Sequence, residues 1–84
     1  MGIWIRSQDK KRLVNCNSFF YSDCLALEEG HFIASYEKYL VNLGQYSSKS
    51  KALKVLDMIQ KELDEEFEMN LEVFQMPQDG EVHR

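Results

Sequence analysis

Apolar and polar positions alternate with a period of two through most of the first half of the chain, then recur at spacings of three and four after Ser50. Ile3-Trp4-Ile5-Arg6 predicts a first strand, and Ser7-Gln8-Asp9-Lys10-Lys11 supplies a polar turn. From Arg12 to Tyr21, Val14, Cys16, Ser18 and Phe20 share one face and Leu13, Asn15, Asn17, Phe19 and Tyr21 the other. Neither face is wholly apolar, which predicts a bulge or register change around Asn15 to Asn17. Leu25-Ala26-Leu27 predicts a short strand, and Glu28-Glu29-Gly30 a tight turn with glycine at positive φ. In the next strand Phe32, Ala34 and Tyr36 alternate against His31, Ile33 and Ser35, and Glu37-Lys38 turns the chain into a strand over Tyr39 to Tyr46.

Serines at 47, 48 and 50 carry side-chain oxygens that can accept hydrogen bonds from the orphan amides of a helix start, so the cap is placed at Ser47 or Ser48. Beyond it Ala52, Val55, Leu56, Ile59 and Leu63 form an apolar stripe, with Leu53 and Met58 on its shoulders. Glu66 projects onto that stripe, so core contact should end by Leu63 and the helix before Asn70. Its charges oppose the helix dipole, with Lys49, Lys51 and Lys54 at the amino end and Glu62, Asp64, Glu65, Glu66 and Glu68 at the carboxyl end. Leu71 to Met76 predicts a last strand ended by Pro77, and Gln78 to Arg84 a flexible tail.

Short connections favour antiparallel neighbours. The expected fold is therefore α+β: an antiparallel meander of about five strands packed against one α-helix, with a short strand after it. Residues 1–77 form the single domain, and 78–84 the tail.

Composition narrows the function. A hydrophobic fraction of 44% with 12% aromatics argues for a folded chain. The net charge of -4 disfavours phosphate backbones, and Lys10-Lys11-Arg12 is too short a basic run to reverse that, so nucleic acid is not expected as a partner. No apolar run approaches the ~20 residues of a membrane helix, and the amino end lacks the layout of a secretory signal; both predict a cytoplasmic protein.

Trp4-Ile5-Arg6-Ser7-Gln8-Asp9-Lys10, with Leu43-Gly44-Gln45-Tyr46, the segment Lys51 to Gln60 and Phe74-Gln75-Met76-Pro77, resembles a group of short proteins from Gram-positive bacteria, their phages and mobile elements. The resemblance covers both ends and the helix. It implies a setting, a small accessory protein of a bacterial or phage genome, and carries no catalytic residues with it.

Candidate chemistry is sparse. Cys16 and Cys24 lie eight positions apart, too far for the close pairs of a structural zinc site, so no metal and no other cofactor is expected and both thiols are read as reduced. A cysteine nucleophile beside His31 would lack an orienting group and an oxyanion site. Glu28 and Glu29 are adjacent and diverge, and the glycines form no phosphate loop. The chain is therefore read as non-catalytic. The aromatics exceed what one small sheet and one helix can cover. This makes Trp4, Tyr21, Tyr36 and Tyr39, with the acidic helix residues Asp64, Glu65 and Glu68, candidates for a protein contact: self-association as a homodimer, or capture of a basic partner. The alternative is a small-molecule or nucleotide-signal binder with an aromatic-lined pocket between sheet and helix, where Arg6 or His31 would meet an anion.

Overall fold

A computed structural model describes residues 3–36, 39–64 and 73–83. The fold is α+β, with strands β1 (Ile3–Arg6), β2 (Leu13–Cys16), β3 (Phe20–Leu25), β4 (Glu28–Tyr36) and β5 (Leu40–Tyr46), helix α1 (Lys49–Asp64), strand β6 (Phe74–Gln75) and a 3₁₀ turn at Asp79–Glu81. The strands divide into two three-stranded sheets, ordered β2-β1-β6 and β3-β4-β5. Among the described strands the β1–β6 pairing alone is parallel; it sets Ile5 beside Phe74 and Arg6 beside Gln75. The returning chain crosses over after the helix, which is the connection that parallel pairing needs.

Strand alternation explains the layers. On β1, Ile5 is fully buried while Trp4 faces outward, and on β4 the residues Ile33 and Ser35 point to the main core. Ala52, Val55 and Ile59 close that core from the helix, joined by Val41, Leu43, Tyr46, Met76 and Val82; Leu56 and Leu63 pack at its margin. Leu25, Phe32 and Ala34 form a second, smaller cluster on the reverse face of β4. Leu53 and Met58, the shoulder residues, remain exposed.

Three local expectations are corrected. The run from Arg12 to Tyr21 is not one bulged strand: it breaks at Asn17 to Phe19, and the chain passes from one sheet into the other, with Val14 before the break and Phe19 and Tyr21 after it packing on the same main core. The register shifts lie instead between Ser22 and Cys24 on β3 and between Ile33 and Ala34 on β4. The hairpin turn is Ala26-Leu27, both at positive φ (51° and 68°), and Gly30 is an ordinary strand residue. Positive φ at both central positions is the geometry whose twist suits a two-residue hairpin, usually built from Asn-Gly. Space at Gly30 is tight, since a Cβ there would come within 2.7 Å of the movable end of the Gln45 side chain and 3.0 Å of the buried Phe32 ring.

Ser48 caps the helix, its Oγ accepting from the Lys51 amide at 3.2 Å. The basic first turn is answered from a distant part of the chain. Asp79 accepts the Ser47 amide at 2.7 Å and pairs with the Lys51 ammonium at 3.3 Å, and these bonds hold its carboxyl below the usual range. Residues 78–83, expected to be flexible, are tied to the domain by these contacts and by buried Val82. Glu65, Glu66, Glu68, Asn70 and the start of the expected last strand lie outside the described residues.

Candidate binding groove

The two sheets meet at the β1–β2 turn. Ser7 is buried there, donating to Asp9 Oδ1 at 2.6 Å and accepting the Arg12 amide at 3.1 Å, while the Lys11 amide also reaches Asp9 Oδ1 at 2.9 Å. The Ser7 hydroxyl and then the Lys11 amide lower the Asp9 pKa by bonding its charged form. Lys10 takes the turn at φ 67°. The loop so fixed presents Gln8 to the open edge of β5: the Gln8 amide donates to the Leu43 carbonyl at 2.8 Å, and its side chain bonds both backbone groups of Gln45.

Away from this clamp the edges of β2 and β5 share no ladder, and an open groove of ≈ 260 Å³ lies along them. Trp4, Leu13, Val14, Asn15, Cys16, Tyr39 and Val41 line it. Trp4 is 49% exposed, Leu13 47% and Tyr39 68%, so the large apolar groups here face water. Cys16 is buried at the inner side.

Among the described residues no charged side chain lines this groove, and Lys10 turns away from it to Gln75 at 3.1 Å; the basic residues near it are placed by register and sequence. Arg6 is the cross-strand partner of Leu13, and exposed Arg12, Lys11 and Lys10 run up to Leu13 along the chain. The Arg6 Nη1 reaches the Lys10 carbonyl at 3.4 Å, and its buried Nε has no partner among the described residues. Asp9, the one acid of the loop, is occupied inside the turn.

The other predicted site residues fall elsewhere. Trp4 and Tyr39 meet in the groove, but Tyr36 lies across from Leu40 on the outer face of β4 and β5. Tyr21 and His31 meet on neighbouring strands, with the Tyr21 hydroxyl 2.8 Å from His31 Nδ1, the rings stacked at 6.1 Å, and the Lys49 ammonium 5.5 Å from the Tyr21 ring centre. Desolvation, with a smaller contribution from Asp23, raises the Tyr21 pKa. His31 therefore serves a tyrosine, and Cys24 faces Glu29 across the hairpin. Arg6 and His31 do not share a site. Asp64 is exposed at the end of α1, and Glu65 and Glu68 are outside the described residues. No group of three or more metal-ligating side chains occurs among the described residues, and no described helix is long and apolar enough to cross a membrane.

Sequence reasoning missed Leu13 and Gln8. For Leu13 a signal existed, an apolar residue directly after a basic run on the polar face of a strand pair. For Gln8 none did, because its partners lie 37 and 69 residues away. Set against family models, curated proteins and solved structures, the chain matches none of them.

Proposed function

We propose that this is a non-catalytic, cytoplasmic accessory protein that works by binding another polypeptide in the groove between β2 and β5. The observation that carries this reading is the placement of exposed Trp4, Leu13 and Tyr39 around one concave apolar surface, with Arg6 paired across from Leu13 and Lys11-Arg12 directly before it in the chain. Tryptophan, tyrosine and arginine are the residues that anchor protein contacts, because large rings bury area at low entropic cost and arginine adds charge-assisted bonds. The volume supports a polypeptide over a free ligand. At ≈ 260 Å³ the groove is smaller than the ~300–1,000 Å³ of typical small-molecule sites, and it suits one or two apolar side chains. The basic neighbours of Leu13 favour a segment in which those side chains are flanked by carboxylates, so a basic partner captured by the acidic end of α1 is the weaker reading.

Trp4 is the sole tryptophan, so its fluorescence reports groove occupancy directly. Capped peptides with a leucine flanked by glutamates should shift Trp4 emission in a salt-sensitive way. The same peptides with lysines should not, and Leu13→Gln should remove the response. A response to neither peptide, alongside stabilisation by a compound in a thermal-shift screen, would replace this reading with the small-molecule one.

A further inference from the structure

The tip of the β3–β4 hairpin has the chemistry that the groove selects. Leu27 is fully exposed, at 100%, and it holds a left-handed backbone conformation that branched or bulky residues seldom adopt. A hairpin made only for stability would place glycine there. Exposed Glu28 and Glu29 directly follow this leucine and exposed Asp23 precedes it on β3, and the tip region carries no lysine or arginine between Asp23 and Gly30. The groove is the complement: exposed Trp4, Leu13 and Tyr39 line it, among the described residues no acidic side chain does, and Arg6 is the cross-strand neighbour of Leu13.

We infer that the occupant of the groove is a second copy of this chain, with Leu27 of one copy seated against Trp4, Leu13 and Tyr39 of the next and the acidic tip facing Arg6, Lys11 and Arg12. This rests on the groove being a polypeptide-binding site. The contact joins two different surfaces, so it is heterologous and builds a ring where the rotation closes and an open chain where it does not. A single hairpin tip buries less than a standard interface, and the association is accordingly weak and concentration-dependent.

The test is sedimentation velocity on the full chain from micromolar to millimolar concentration, with Leu27→Gly as the first variant. L27G puts glycine at a positive-φ turn position, so it should raise thermal stability while weakening self-association roughly tenfold or more, the worth of one buried leucine. Raising ionic strength from about 0.01 M to about 1 M, where the screening length falls from about 30 to about 3 Å, should weaken association of the wild type. L27G keeps an intact groove and Leu13→Gln an intact tip, so each alone should be monomeric and their mixture should form a heterodimer. A wild type that stays monomeric throughout, association that L27G leaves unchanged, or a mixture that fails to pair would overturn the inference. If glutamate-flanked leucine peptides still quench or shift Trp4 in that case, the groove remains a binding site and only its occupant is different.

Discussion

The side-chain amide of Gln8 bonds the backbone of Gln45 in both directions, Nε2 donating to the carbonyl at 2.9 Å and Oε1 accepting the amide at 2.9 Å. One side chain thus substitutes for a neighbouring strand and closes part of the β5 edge, which would otherwise be open to pairing with another chain. It also draws in the carboxyl-terminal segment, since Gln8 Nε2 approaches the Pro77 carbonyl at 3.3 Å and Gln78 donates to the Gln8 carbonyl at 2.7 Å.

Gln8→Ala should therefore destabilise the fold by about 2 kcal/mol, the net value of a pair of hydrogen bonds whose backbone partners stay partly shielded. Chemical denaturation measures it. The groove should loosen as well, because the Gln8 side chain reinforces the backbone bond from Gln8 to Leu43 that holds the β1–β2 loop against β5, and a weaker response of Trp4 to peptide in this variant would report that.

At the hairpin tip, Ala26→Asn combined with Leu27→Gly should raise stability by about 1 to 2 kcal/mol, as both positions have positive φ that these residues adopt more readily. For a domain of this size each kcal/mol corresponds to about 4–8 °C in Tm. No gain in Tm would show that the native tip carries no strain.

Ser35 is completely buried, and its Oγ has no hydrogen-bond partner among the described residues. An unsatisfied buried hydroxyl costs about 1–3 kcal/mol. Ser35→Ala should be more stable than the wild type in denaturant titration, although it removes an atom from the core.

Tyr46 is buried, and desolvation, followed by the charges of Asp79 and Glu81, raises its pKa well above the usual value of 10.0. The native state therefore holds this proton after the unfolded chain has lost it. Stability from Tyr46 is fully present below pH about 10 and declines as pH rises above that. Tyr46→Phe should cost about 1 kcal/mol at neutral pH, because the hydroxyl donates to the Pro77 carbonyl at 2.9 Å. Its stability should then fall less steeply than that of the wild type between pH 10 and more alkaline conditions, as followed by circular dichroism.

The chain determined its elements by local rules. The spacing of Ala52, Val55, Ile59 and Leu63 and the Ser48 oxygen specify an amphipathic helix and its start wherever it packs. Alternation likewise made Ile5 and Ile33 core residues and turned Trp4 outward, since a strand has only two faces. What tertiary structure alone decided was which edges meet. The division into two sheets, the parallel return of β6, the Gln8 clamp and the Asp79 bonds at the helix start all join residues far apart in sequence, and no periodicity encodes such pairings. The groove has the same origin: Trp4, Cys16 and Tyr39 come together only because β2 and β5 are held at one end and left unpaired at the other.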